Sequence, residues 1–161
     1  MKLLKGMQMA PKIEAASEAV DVASRESYQW FIPLPTRWMD NDVYGHVNNV
    51  NYYSYFDTVV NMYLIGSCGL DILESSSVGY TVHSECFYKS GVGFPDELEG
   101  GLRVNRIGNS SVQYGLSIFK KGDKTASAHG TFTHVFVDRK TEKPVPIAGQ
   151  LRSGLTDILV G

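Results

Sequence analysis

Residues 40–49, Asp-Asn-Asp-Val-Tyr-Gly-His-Val-Asn-Asn, combine two carboxylates, a glycine and a histidine with a pair of asparagines. An aromatic-rich, amphipathic segment follows at once. A carboxylate can act as a base or a nucleophile, and the free N–H groups at the start of a helix can stabilise negative charge on oxygen. A carboxylate beside the amino end of a helix is therefore sufficient equipment for water to attack an activated carbonyl group.

The segment after this run has the pattern of the helix that such chemistry needs. Asn48 or Asn49 is expected to cap it, because an asparagine side chain accepts hydrogen bonds from the N–H groups of a first turn. Apolar and aromatic residues then recur every three to four positions, which predicts a helix of about 17 residues lying on a sheet. The predicted buried stripe consists of Val50, Tyr53, Phe56 or Asp57, Val60 and Leu64, and Gly66 and Gly69 mark the end of the helix.

Most of the remaining chain has the alternation of strands. A strand is predicted between Tyr28 and Met39, either interrupted or at a sheet edge because of its two prolines. Four strands are predicted after the helix, with turns at Gly108–Asn109 and Lys120–Lys124, and then a short C-terminal helix. One helix followed by a run of strands favours an α+β fold with an antiparallel sheet. The uncovered face and edges of that sheet indicate a dimer.

Composition narrows the classes of protein that the chain can belong to. At 161 residues, with 43% apolar residues, it is expected to form one domain at residues 27–161, after a flexible or loosely packed extension at residues 1–26. A net charge of −2 gives no reason to expect nucleic acid or a membrane surface as a partner. Two cysteines are too few for a disulfide framework, and no apolar run approaches the roughly 18 residues of a membrane span. A cytoplasmic protein is expected.

The motif at residues 40–49, followed by Tyr52 or Tyr53 and the pair Phe56-Asp57, resembles that of the hotdog-fold acyl-CoA thioesterases, in the 4-hydroxybenzoyl-CoA thioesterase-like family. The order of elements agrees over residues 27–145, and the segment Val82-His-Ser-Glu85 falls on the first strand after the helix. The resemblance implies a long central helix wrapped by a curved antiparallel sheet of about five strands. It also implies homodimers or homotetramers with active sites at subunit interfaces.

The same resemblance places the catalytic carboxylate on Asp42, as general base or nucleophile. The reaction that it implies is hydrolysis of an acyl-CoA thioester to a free acid and coenzyme A. It requires no metal and no separate cofactor, since coenzyme A is part of the substrate. The start of the helix near Asn48, Asn49 and Val50 is the expected oxyanion site.

Other polar residues near the motif have open roles. His46 is expected either to contact the substrate carbonyl, to orient Asp42, or to shape the loop. His83 and Glu85 share one face of a strand. They are expected either to complete the site of a neighbouring chain or to form a polar stripe or dimer contact. Asp40 is expected to order the loop or to pair with Arg37.

Two other functions compete with hydrolysis. The first is a non-catalytic acyl-CoA or pantetheine-binding protein on the same scaffold, because a fold alone does not establish activity. The second is a hydratase or dehydratase, which typically needs a histidine with an acid on the central helix. Asp57 has no histidine beside it in the sequence, so this alternative ranks low. His129 and His134 lie five apart in a predicted strand and so face opposite sides, which argues against a shared metal site.

Overall fold

The computed structural model describes residues 21–161 as one five-stranded antiparallel sheet and two helices. The strands lie in the order β1-β3-β4-β5-β2, and each neighbouring pair is antiparallel. The predicted α+β class and the predicted order of strand, long helix and four strands are confirmed. The elements are β1 Trp30–Pro35, α1 Asn49–Gly66, β2 Ser77–Tyr88, β3 Glu97–Ile107, β4 Ser111–Lys120, β5 Ala128–Asp138 and α2 Gly149–Asp157.

Helix α1 begins where its capping asparagine predicts. The side chain of Asn48 accepts a hydrogen bond from the N–H of Val50 at 3.2 Å. The predicted buried stripe is wrong at its start, since Val50 is 63% exposed. Periodicity could not fix the phase, because nearly every position from residue 50 to residue 64 carries a bulky side chain. The buried side chains are those of Tyr52, Tyr55, Phe56, Val59, Val60, Tyr63 and Leu64.

The sheet lets α1 approach closely because it has glycines beneath the helix. A side chain at Gly100 would overlap Val59, and one at Gly130 would meet the ring of Phe56. Around these contacts, helix and sheet share one hydrophobic core. The helix is therefore fixed in depth and rotation by close packing, which tolerates few changes in volume.

The first strand is shorter than predicted. It ends at Pro35, and Trp38–Asp40 forms a 3₁₀ turn instead of continuing the strand to Met39. The reason is a local hydrogen bond, in which the Asp40 carboxylate accepts from the N–H of Arg37 at 2.7 Å and closes the turn. The alternation of large side chains gave no sign of this turn.

Asp40 connects this turn to α1. Its carboxylate is 1% exposed and also accepts from the Arg37 guanidinium at 2.7 and 2.9 Å and from the Tyr55 hydroxyl at 2.7 Å. Its main-chain oxygen accepts from the N–H of Asn48 and from the side chain of Asn51, each at 2.8 Å. Burial alone would raise the pKa of Asp40, but the bonds from Arg37 and Tyr55 outweigh it and hold the pKa below its usual value. Asp40 therefore pairs with Arg37 and orders the loop.

The chain before β1 contacts the sheet. Ser24 forms a bridge with Thr125, and the guanidinium of Arg25 lies 2.9 Å from the Glu99 carboxylate. Of the extension predicted at residues 1–26, residues 1–20 lie outside the described part of the chain. Within residues 21–161, no helix is long and apolar enough to cross a membrane.

We expect Asp40→Asn to lower the free energy of unfolding by about 2–3 kcal/mol at pH 7, because an amide cannot accept at both former carboxylate positions. Denaturant unfolding measures this change. Asp123→Asn is the matched control, since Asp123 is exposed and its side chain makes no hydrogen bond among the described residues; its effect should stay within about 0.5 kcal/mol.

The stabilisation by Asp40 also has a defined pH dependence. Because its pKa is lower in the folded state, wild-type protein should exceed Asp40→Asn in stability above about pH 4, the unfolded pKa of aspartate. The difference should shrink as the pH falls through the folded pKa. A difference that is constant from neutral pH to pH 2 would contradict this assignment.

Candidate active site

The motif loop, residues 40–48, packs against the segment that follows β2, residues 89–96. Within the loop, Asn41 forms a bridge with Val47. The N–H of Val47 then donates to the carbonyl of Val92 at 2.7 Å. These main-chain bonds hold the two segments side by side at the amino end of α1.

A cleft of about 330 Å³ lies between the two segments. It brings together three of the residues singled out in the sequence: Asp42, His46 and Asn49. Its lining consists of Asp42, His46, Val47, Asn49, Tyr52, Tyr88, Lys89, Ser90 and Gly91.

Asp42 is half-buried and held in a tight turn. Its Oδ1 accepts from the N–H of Tyr44 at 2.8 Å, and its main-chain N–H donates to the carbonyl of His46 at 2.8 Å. Gly45 has a φ of +82°, which a side chain would disfavour, so the turn depends on a glycine there. Among residues 21–161, no group donates a hydrogen bond to Oδ2 of Asp42. One carboxylate oxygen thus shapes the turn while the other remains free to bind water or substrate.

The imidazole of His46 lies against the main chain of Gly91. A Cβ at position 91 would stand 2.8 Å from Cδ2 of His46, so only glycine accommodates the ring in this position. In the described part of the chain the ring forms no hydrogen bond with Asp42. Contact with substrate and shaping of the loop are the two roles that this geometry favours.

The first turn of α1 places in the cleft a residue whose N–H group has no acceptor among the described residues. The N–H of Val50 donates to the Asn48 side chain, and the N–H of Asn51 donates to the Asn48 carbonyl at 2.9 Å. No described residue accepts from the N–H of Asn49, which is a lining residue of the cleft. The cap therefore leaves Asn49, rather than Val50, as the available donor.

His83 and Glu85 lie apart from this cleft within one chain. His83 is exposed, while Oε1 of Glu85 accepts from the Thr131 hydroxyl at 2.9 Å. Glu85 lines a separate cavity of about 140 Å³, together with His129. Their predicted part in a site shared with a neighbouring chain stays a prediction.

The two histidines of β5 face opposite sides of the sheet, as their spacing predicts. His129 stacks on Phe87, with ring centroids 5.2 Å apart. His134 is buried against Tyr114, and burial lowers the pKa of both imidazoles. Among residues 21–161, no group of three potential metal ligands lies together.

One side of the cleft was not identified from the sequence. Tyr88, the last residue of β2, and the next three residues, Lys89, Ser90 and Gly91, complete the lining of the cleft. An aromatic strand end followed by a serine and a glycine is a signal of close chain approach that could have indicated this segment.

A long helix held by a five-stranded antiparallel sheet, with a carboxylate loop before the helix, defines a hotdog-fold protein. The family model of the thioesterase-like superfamily matches residues 36–155. The chain belongs to this superfamily, and it is a thioester hydrolase. A comparison with curated protein sequences gives no match.

Solved structures agree with this membership. The PA5185 protein of Pseudomonas aeruginosa strain PAO1 is 51% identical, over 86% of this chain and 97% of that one, with a TM-score of 0.84. PA2801, a putative thioesterase from Pseudomonas aeruginosa, is 24% identical over 78% and 96% of the two chains, with a TM-score of 0.71. Slr0204, a 1,4-dihydroxy-2-naphthoyl-CoA thioesterase from Synechocystis, is 14% identical over 80% and 96%, with a TM-score of 0.72. The last two similarities concern the fold alone.

We expect Gly91→Ala to displace the His46 ring and to reduce kcat/KM for thioester hydrolysis by about tenfold, equivalent to about 1.4 kcal/mol. Gly66→Ala is the matched control, since a Cβ at Gly66 meets nothing within 4 Å. The imidazole NMR signals of His46 and the rate of thiol release measure the two effects. Unchanged signals and activity in Gly91→Ala would show that the contact is unimportant.

Proposed function

We propose that this protein hydrolyses acyl-CoA thioesters, with Asp42 as general base or nucleophile and the N–H of Asn49 as oxyanion donor. One observation carries the proposal: Asp42, whose carboxylate has an oxygen without a donor among the described residues, and Asn49, whose helix-start N–H has no acceptor among them, line the same cleft. CoA as the thiol part of the substrate is supported by family membership and by a structural relative that is named as a CoA thioesterase.

The chemistry of thioesters suits this small set of groups. A thiol has a pKa near 8.5, by analogy with cysteine, so the thiolate leaves with little help from an acid. The demanding requirement is stabilisation of the tetrahedral oxyanion. Removal of one oxyanion donor in comparable sites costs about 2.7–4 kcal/mol in transition-state stabilisation. The Asn49 N–H, at the positive end of α1, is suited to that task.

Asp42 can act by either of two routes. As a base, it takes a proton from a water molecule, which attacks the carbonyl carbon while the thiolate departs. As a nucleophile, it attacks that carbon itself and expels the thiolate as the carbon–sulfur bond breaks, and the mixed anhydride that forms is then hydrolysed by water. Neither route uses a metal or a cofactor, because coenzyme A enters as part of the substrate.

The lysines near the motif loop and the segment at residues 89–96 differ in whether an acidic side chain already pairs with them. Lys120 lies 2.9 Å from the Asp96 carboxylate, and Lys121 pairs with Glu97. Lys89 borders the cleft and forms no ion pair within residues 21–161. Lys89 is therefore better placed than the hairpin lysines to meet the phosphates of coenzyme A.

We expect Asp42→Asn to reduce kcat/KM for acyl-CoA hydrolysis by well over tenfold, because an amide can neither take a proton from water nor attack the carbonyl. Thiol release from short, long and aromatic acyl-CoA substrates measures it, with unfolding temperature as a check of the fold. Asp123→Asn controls for the loss of one negative charge and should keep wild-type activity. Retention of more than about a tenth of kcat/KM in Asp42→Asn, a loss below about 1.4 kcal/mol, would refute the assigned role.

The two edges of the sheet favour a homodimer formed through β2. On β1, Pro33 and Pro35 have no N–H group to donate to an added strand. On β2, twelve residues run along an open edge, and Tyr80, Val82 and Phe87 are exposed large apolar side chains there. We propose that a second copy of the chain pairs at this edge; a tetramer would require a further contact.

A charge at the centre of that edge tests the dimer. Val82→Asp should shift the protein towards monomers in sedimentation-velocity measurements, since burying two unpaired carboxylates opposes association. Met62→Lys changes a side chain of similar exposure on the outer side of α1 and should leave the dimer intact. A wild-type monomer at micromolar concentration would refute the assembly.

A further inference from the structure

Tyr88, the last residue of β2, crosses from the sheet to the first turn of α1. Its hydroxyl donates a hydrogen bond to the main-chain oxygen of Asn49 at 3.1 Å. Its ring meets the buried ring of Tyr52 edge-on, with centroids 5.1 Å apart and planes at 90°. The ring of Tyr88 thus packs on Tyr52 while its hydroxyl bonds to Asn49. Tyr88 therefore contacts the first turn of α1 at two points on the side of the cleft.

The main-chain oxygen of Asn49 accepts a hydrogen bond from Tyr88, whereas the main-chain N–H of Asn49 has no acceptor among the described residues. Its carbonyl oxygen has two lone pairs, so the Tyr88 hydroxyl can bind it in addition to the intrahelical N–H. Its own N–H points to no acceptor among the described residues, in a cleft that also contains Asp42. The first turn of a helix has the fewest internal hydrogen bonds and frays most easily. The hydrogen bond from Tyr88 on β2 therefore restrains the first turn of α1, the part of the helix with the fewest internal bonds.

We propose that Tyr88 is a positioning residue for the thioesterase site, holding the first turn of α1 so that the N–H of Asn49 stays aimed at the reacting carbonyl oxygen. This inference rests on the function proposed above. Tyr88 acts through Asn49, and it takes no proton in the reaction.

The ionisation of the hydroxyl is consistent with a permanent donor. Burial, followed by the influence of the neighbouring Cys86 thiol, raises the pKa of Tyr88 to about 12. The group therefore stays protonated across the pH range in which a thioesterase is assayed. Loss of the hydroxyl should change the height of the pH–rate profile and leave its midpoints unchanged.

The test compares Tyr88→Phe with Tyr80→Phe. Both tyrosines lie on β2 and are 46% exposed, and both variants lose only a hydroxyl, so they match in position and chemistry. Tyr88→Phe should reduce kcat by about threefold to tenfold, the range expected for one hydrogen bond, with KM nearly constant. Tyr80→Phe should keep wild-type values. Equal unfolding temperatures in the two variants would exclude general destabilisation as the cause.

Amide hydrogen exchange gives a second readout that needs no substrate. In Tyr88→Phe the hydrogen-bonded amides of residues 50–53 should exchange several times faster than in Tyr80→Phe, while those at the carboxyl end of α1 stay unchanged. Faster exchange together with lower kcat supports the proposal. Unchanged exchange overturns it even if no acyl-CoA is hydrolysed, and faster exchange with wild-type kcat overturns the catalytic consequence. Failure of the proposed function is separate, because it appears as absent activity in wild-type protein.

Discussion

The site depends on the buried carboxylate of Asp40. This group accepts three hydrogen bonds from Arg37 and one from Tyr55, so it joins the turn after β1 to the side of α1 that packs in the core. Its main-chain oxygen receives the N–H of Asn48, the residue that caps the helix. Asp40 therefore holds the loop, the helix cap and the helix together, and the shape of the cleft depends on these contacts. Leaving a buried carboxylate without hydrogen-bond partners would cost much free energy. The bonds from Arg37 and Tyr55 to Asp40 are therefore expected to form together.

Two aspartates two residues apart have opposite tasks because their surroundings differ. Asp40 has both oxygens occupied and is removed from water, which suits a structural anion. Asp42 uses one oxygen to hold the N–H of Tyr44 and leaves the other open to the cleft. A carboxylate can react only where it keeps a lone pair for a proton or a carbon atom. Because the two residues are so close in the chain, the fixed carboxylate of Asp40 holds the loop that carries Asp42. Asp42 is thereby positioned in advance while one of its oxygens stays available for reaction.

Local signals in the sequence predicted much of this arrangement, and contacts between distant segments account for what was missed. The cap at Asn48 and the order of elements follow from hydrogen-bonding chemistry and from alternation, and the structure confirms both. The early end of β1 depends on the hydrogen bond that the N–H of Arg37 donates to the Asp40 side chain, and the phase of α1 depends on packing over Gly100 and Gly130. The cleft wall at residues 88–91 comes from a segment some forty residues beyond the motif. No periodicity within one segment could indicate such a pairing.

The capping pattern decides which N–H of α1 is available for catalysis. An asparagine cap binds the N–H of the second helical residue here, Val50, and the carbonyl of the same asparagine binds that of the third. The N–H of the first helical residue, Asn49, is then left over by geometry, with the full dipole of the helix behind it. A cap is normally considered a device that ends a helix without unsatisfied donors. In this chain it satisfies the N–H groups of Val50 and Asn51 and leaves that of Asn49, a residue that lines the cleft together with Asp42, so helix stability and oxyanion binding draw on the same turn without competing for the same group.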